Sequence, residues 1–206
     1  MRIFISIDLP EEVREEVKKI QDELPNFREN LRFSGPSKFR TAPTRRDTIK
    51  NFEVVGKKIE PENLHLTLKF LGEIDERKAE EVRRKLKEIE YNPFETNIDF
   101  IGYFDNRNSN RYSQNLIVWL HLTNCKGLQR KVDEALKELF IPEKRFMSHL
   151  TIARIKKIAD KKRFVEELER LEIPKIKFNV NSFYLKESVL NAQGPKYNVI
   201  EEYKLP

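Results

Sequence analysis

His65-Leu66-Thr67-Leu68 and His149-Leu150-Thr151-Ile152 place the same two polar residue types at the same spacing in two apolar runs. In an extended strand, side chains two apart share a face, so His65 sits with Thr67 and His149 with Thr151, while Leu66, Leu68, Leu150 and Ile152 point the other way. If the two ribbons face each other across a cleft, a neutral imidazole on one can take a proton while a charged imidazole on the other gives one. That equipment suits acid-base phosphodiester chemistry without a metal. Extending the alternation puts Lys69 on the His65 face, where its ammonium either offsets phosphate charge or stands as an exposed rim lysine. The same alternation puts Arg154 on the face opposite His149, unless the strand ends or bulges nearby.

Other chemistries are poorly supplied. The chain has three His and one Cys. Thr is a poor zinc ligand, and neither motif carries a neighbouring His or carboxylate at ligand spacing, so no metal is expected. No glycine-rich phosphate loop is present, and no cofactor is expected. A third triplet, His121-Leu122-Thr123, follows Trp119 but runs straight into Asn124, Cys125, Lys126 and Gly127. Thr123 or Asn124 reads there as a helix cap, and His121 as a structural residue at a strand end.

The elements that must carry these residues alternate along the chain. Arg2 to Asp8 reads as a strand. A helix follows, with Pro10, Glu11 and Glu12 at its start and Val13, Val17, Ile20 and Leu24 on one side. From Pro25 to Lys58 the periodicity breaks up around Pro36 and Pro43, which predicts a long loop with room for a short hairpin. Asn63 to Leu71 reads as a strand and Asp75 to Glu90 as a charged helix burying Ala79, Val82, Leu86 and Ile89. Strands are expected at Phe94 to Phe104, Leu116 to Leu122 and Ser148 to Ile155, with helices at Leu128 to Phe140 and Asp160 to Leu171. Alternating runs from Ile176 to Leu190 and Tyr197 to Lys204 close the chain. Strand, helix and His-x-Thr strand recur in both halves, which suggests two related lobes with the site between them.

At 206 residues, with 38% hydrophobic and 36% charged residues, the chain is expected to form one folding unit over 1–206. The apolar start is too short for a signal peptide or a span, and a lone Cys125 excludes an internal disulfide, so a reducing cytoplasm is expected. Between Arg28 and Lys58 nine Lys or Arg stand against three acids, an excess equal to the whole formal charge of +6. This segment, 28–58, is either a solvated basic loop or an insertion that draws a polyanion.

Asn63-Leu64-His65-Leu66-Thr67-Leu68-Lys69-Phe70-Leu71-Gly72-Glu73 and Phe146-Met147-Ser148-His149-Leu150-Thr151-Ile152-Ala153-Arg154 resemble the paired motifs of the 2H phosphoesterases, and within them the RNA 2′,3′-cyclic phosphodiesterases also called 2′-5′ RNA ligases. The opening Arg2-Ile3-Phe4-Ile5-Ser6-Ile7-Asp8-Leu9-Pro10, the stretch Leu185 to Leu190 and Gly194-Pro195-Lys196-Tyr197 resemble that family too. The resemblance implies an α+β fold of two lobes, with mostly antiparallel sheets flanked by helices and a pseudo-twofold central cleft. It implies metal-independent opening of RNA 2′,3′-cyclic phosphate ends to 2′-phosphates, with His65 as general acid and His149 as general base. Thr67 and Thr151 would hold the non-bridging oxygens, and an Arg at the position of Arg154 is frequent in the family. Joining RNA ends through a 2′-5′ bond would be the same chemistry run backwards, with no ATP. The segment Phe33 to Phe52 is longer than the family usually carries before its first motif, which leaves substrate preference open. A monomer with no obligate protein partner and no membrane attachment is expected. The alternatives are an RNA- or nucleotide-binding module without turnover, or a phosphodiesterase of small cyclic nucleotides.

Overall fold

The computed structural model describes residues 1–25, 27–29, 54–106, 115–191 and 194–206. Of the basic segment 28–58, residues 30–53 lie outside the described residues. In chain order the elements are β1 (Arg2–Asp8), α1 (Glu11–Asp22), β2 (Phe27–Glu29), β3 (Val54–Lys58), β4 (His65–Glu73), α2 (Glu76–Lys87), β5 (Phe94–Asn106), β6 (Asn115–Leu122), α3 (Lys126–Ala135), β7 (His149–Ile158), α4 (Lys161–Glu169), β8 (Ile176–Val180), β9 (Ser182–Asn191) and β10 (Gly194–Lys204). A short 3-10 turn, Pro61–Asn63, leads into β4.

Eight strands run in the order β10-β9-β1-β4-β7-β6-β5-β8, with β3 paired to β7 and β2 to β3. Pairing is antiparallel throughout except between β2 and β3. The two His-x-Thr strands, β4 and β7, are neighbours at the centre, and their ladder consists of one pair, Leu66 with Leu150. Each leucine lies between the His and the Thr of its motif, so the two motifs run past each other about a local twofold. A single-pair ladder joins the half-sheets on either side by little backbone pairing, and residues of both strands line the cleft beside this seam.

The helices cover the outer face. Val13, Val17 and Ile20 of α1, Ala79, Val82 and Leu86 of α2, Leu128 and Val132 of α3 and Phe164 and Leu168 of α4 are buried against the strands. Asp75 caps α2 by accepting from the Lys78 N–H at 2.8 Å, and Asp160 caps α4 through the Arg163 N–H at 3.0 Å. No helix among the described residues is long and apolar enough to cross a membrane.

Three local expectations are corrected. The run Ile176 to Leu190 divides at Asn181 into β8 and β9, which pair with different strands, β5 and β1. The third helix starts earlier and ends at Ala135, before Phe140. Its cap position is Cys125 without a side-chain cap; the Thr123 hydroxyl instead accepts from the Asn97 N–H, and Asn124, at φ 62°, donates to the Glu95 carbonyl. Both polar residues are drawn to β5, which competes with the helix for them.

Leu66 and Leu150 are fully buried at the seam between the half-sheets. Truncation of Leu150 to Ala is expected to cost about 2–5 kcal/mol in urea unfolding, at the level of a well-packed core leucine.

Candidate active site

β4 and β7 share more than their sequence. After each Thr the register against the outer neighbour slips by one residue. Ser6 of β1 pairs with Thr67 but Ile5 pairs with Lys69; Trp119 of β6 pairs with Thr151 but Val118 pairs with Ala153. Leu68 and Ile152 are the extra residues, and each bulge reverses the inside-outside alternation beyond it.

The reversal decides the two basic residues that strict alternation left in question. Arg154 comes round to the His149 face and lines the cleft. Lys69 turns away from it, to the opposite face. Buried there, it donates to the Asp133 carboxylate on α3 and, at 2.9 Å, to the carbonyl of Ile141. The expectation that Lys69 faces the phosphate is therefore corrected. Asp133 also accepts from Gln129 and, at 2.9 Å, from the Glu143 N–H, so Lys69 ties the back of β4 to the segment that leads into β7. The bulge in β7 has its own brace. The Ile152 carbonyl accepts from the Ile59 N–H at 2.9 Å and from the Gln21 amide at 2.8 Å, and the same amide reaches the Ile59 carbonyl.

The cleft occupies about 460 Å³, and His65, Thr67, His149, Thr151 and Arg154 all line it. Each imidazole is oriented by the main chain two residues earlier: Nδ1 of His65 donates to the Asn63 carbonyl at 2.7 Å, and Nδ1 of His149 to the Met147 carbonyl at 2.8 Å. A carbonyl only accepts, so the proton sits on Nδ1 and Nε2 is left to take or give a proton. Aromatic rings hold both imidazoles. Phe4 and Tyr197 lie 5.0 and 4.9 Å from the His65 ring, the tyrosine edge-on, and Phe104 meets His149 edge-on at 5.1 Å.

This packing keeps both histidines neutral. Burial pushes His65 down to about 4; Lys186 and Arg154 add to the shift, against the Asn63 carbonyl and Asp8. Burial lowers His149 as well, opposed by its bond to Met147 and reinforced by Arg154. Asp8 is the cross-strand partner of His65, and Lys186 reaches both its carboxylate oxygens at 2.6 Å, so this half-buried pair leaves little net charge beside the imidazole. The arrangement offers two unprotonated Nε2 atoms, the Thr67 and Thr151 hydroxyls and the Arg154 guanidinium to a common space that Arg2 and Ser188 also line, which is a site for an anionic ester.

Several of these residues escaped the sequence reading. Asn63 and Met147 act through main-chain atoms and leave no side-chain signal. Phe4, Tyr197 and Phe104 read as strand apolars, and Phe70, five past His65 as Arg154 is five past His149, needs the bulge to reach the cleft. Asp8 and Lys186 are almost as far apart as the chain allows. His121, read as structural, pairs across strands with His149 and binds Asp99 through Nδ1 at 2.7 Å.

A fold of this topology with this cleft defines a two-histidine phosphoesterase architecture, and comparison with known proteins agrees. Residues 44–112 and 123–197 match the family model LigT like Phosphoesterase; the chain belongs to that family. It is 31% identical over 208 residues to the RNA 2′,3′-cyclic phosphodiesterase of Methanocaldococcus jannaschii, covering 98% of this chain and 100% of the relative. It is 32% identical over 214 residues to the protein of the same name from Methanothermobacter thermautotrophicus, covering 100% and 99%. Among solved structures, a Thermus thermophilus protein aligns with a TM-score of 0.67 at 24% identity over 100% of this chain and 98% of its own, and Escherichia coli LigT complexed with 3′-AMP with 0.65 at 20% over 99% and 97%. The mostly antiparallel, sheet-rich α+β fold is that of these proteins.

Two measurements test this description. Lys69→Met leaves Asp133 buried without its cation and is expected to lower unfolding free energy by about 3–5 kcal/mol, whereas Arg154→Met, at an exposed position, stays within about 0.5 kcal/mol. In the empty protein the His65 ring is expected to titrate near 4 by NMR. The unfolded chain takes up that proton nearer 6.5, so stability falls as pH drops through the window from 6.5 to 4, and His65→Phe flattens that slope.

Proposed function

We propose that the protein hydrolyses RNA 2′,3′-cyclic phosphate ends to 2′-phosphomonoesters without a metal or cofactor, with His65 as general acid and His149 as general base. The observation that carries this reading is the matched pair of imidazoles, each with Nδ1 tied to a main-chain carbonyl and Nε2 free for the proton, lining one cleft with Thr67, Thr151 and Arg154. The names of the relatives at 31% and 32% identity supply the substrate.

In this mechanism His149 Nε2 takes a proton from water as the water oxygen bonds to phosphorus. His65 Nε2 gives a proton to the 3′ oxygen as the P–O3′ bond breaks. The 2′-phosphate leaves with His65 neutral and His149 charged, and exchange with solvent restores both. Thr67 and Thr151 donate to the non-bridging oxygens, and Arg154 offsets the charge that builds there. Lys69 plays no part at the phosphate. The acid must be charged before it can act, and a ring that burial holds neutral takes its proton from solvent as the anion binds, because the phosphate's negative charge favours the imidazolium form.

The same reading places the protein in the reducing cytoplasm as a monomer without an obligate protein partner. The free, buried thiol of Cys125 fits that compartment.

Purified protein is assayed in EDTA with an RNA oligomer ending in a 2′,3′-cyclic phosphate, the product being separated from 2′- and 3′-phosphate standards. Wild type is expected to give the 2′-phosphate. His65→Ala and His149→Ala are each expected to lose about 10²–10⁴-fold, and Arg154→Met about tenfold to a hundredfold in kcat/KM. Sulfur in place of the 3′ oxygen leaves without a proton, so it is expected to rescue His65→Ala but not His149→Ala; rescue of the other variant exchanges the two roles. RNA binding without turnover in wild type would establish a binding module instead, and turnover of small cyclic nucleotides alone would change the substrate.

A further inference from the structure

The third histidine, His121, has no part in the mechanism above, yet its surroundings are organised. Its ring stacks on Phe100 with centroids 4.7 Å apart and planes 19° apart. Nδ1 on the Asp99 carboxylate at 2.7 Å holds the imidazole in that plane. Phe100 is 46% exposed, unusual for a phenylalanine in the middle of a strand. Beneath the stack the packing is close. Phe100 meets Trp119 edge-on at 5.7 Å, and the buried Trp119 ring lies so near Gly102 that a Cβ there would sit 2.5 Å from it. The stack therefore rests on a layer with no room to yield.

Its position relates it to the cleft. His121 is the cross-strand partner of His149, and directly opposed residues on paired strands share a face. The stack thus begins one strand beyond the catalytic imidazole, on the same side of the sheet. Neither Phe100 nor His121 lines the 460 Å³ cleft, whose size suits one small ligand such as a single nucleotide. Past His121 the surface dips again into a pocket of about 210 Å³ that includes Lys126, Phe146 and Met147.

We propose that the Phe100–His121 stack is a platform for a nucleobase of the RNA chain, one nucleotide or more to the 5′ side of the reacting phosphate. This rests on the phosphodiesterase reading, which places the RNA end in the cleft. Base faces stack on aromatic rings whatever their sequence, and an open aromatic sheet face is a common way to hold single-stranded RNA. The Asp99 carboxylate beside the stack repels a phosphate, so the ring surface takes a base and leaves the backbone to run past it. The platform would separate RNA ends from free cyclic mononucleotides, which fill the cleft and reach no further.

The test compares a mononucleotide 2′,3′-cyclic phosphate with a tetranucleotide ending in the same group, and adds the Kd of a tetranucleotide ending in a 2′-phosphate by fluorescence anisotropy. Phe100→Ala is expected to cost about tenfold in kcat/KM and in Kd on the tetranucleotides. It leaves mononucleotide turnover unchanged, and Phe100→Trp restores the loss. Equal loss on both substrates, or no loss on the tetranucleotides, overturns the platform. If wild type turns over neither substrate, the phosphodiesterase reading fails, and the anisotropy series still decides the platform: a Kd unmoved by Phe100→Ala rejects it.

Discussion

A strand presents alternate residues to alternate faces, and the site depends on breaking that rule directly after the motif Thr of each motif strand. Without the extra residue at Leu68, Phe70 would turn into the core and Lys69 toward the cleft. Without the one at Ile152, Arg154 would point away from the two histidines. A bulge leaves backbone groups out of the ladder, and those groups must be satisfied elsewhere if the irregularity is to persist. In β7 the Ile152 carbonyl is taken by Ile59 and by Gln21, a buried amide on α1. In β4 the displaced lysine is neutralised by Asp133 on α3. The helices thus serve the cleft from the far side of the sheet.

The electrostatics follow from the same packing. Rings on both imidazoles remove water and favour the uncharged form, while main-chain carbonyls at Nδ1 fix which nitrogen faces the cleft. The charges near His65 are arranged to oppose each other, Asp8 against Lys186. Arg154 remains as a positive group that bears on both imidazoles. A cleft with two neutral bases and the cations Arg2 and Arg154 in its lining attracts an anion, and the anion in turn makes it easier for an imidazole to carry charge.

Much of this was legible in the order of residues. The His-x-Thr repeats marked the two central strands, and the 3.6-residue spacing of Ala79, Val82 and Leu86 marked a helix that packs against α3 and β10. What alternation could not reveal was where it fails. Leu68 and Ile152 look like any other apolar strand residues; the slip is visible only against β1 and β6, which lie far away in sequence. Lys69 was misplaced for that reason, and Arg154 was left conditional on a bulge that proved to be there. Thr123 and Asn124 carried a sound local signal for a cap, overridden because β5 offered their hydrogen bonds a second home. The residues that tune His65, Asp8 and Lys186, are joined by a contact spanning 178 positions, beyond any local pattern.

The repeat of one motif in two neighbouring strands has a cost of its own. A cradle with twofold symmetry cannot tell a bound group from the same group turned end for end, so a ligand would settle in two poses of equal energy. The fifth residue after each histidine removes the degeneracy, because the bulges bring Phe70 to one rim and Arg154 to the other. Phe70 is apolar and Arg154 cationic, and a molecule with a flat uncharged end and an anionic end has a preferred way to lie between them. Direction in this cleft comes from unlike residues laid on a repeated pair of strands, this pair together with Arg2, Ser188 and Tyr197 on the β1, β9 and β10 side.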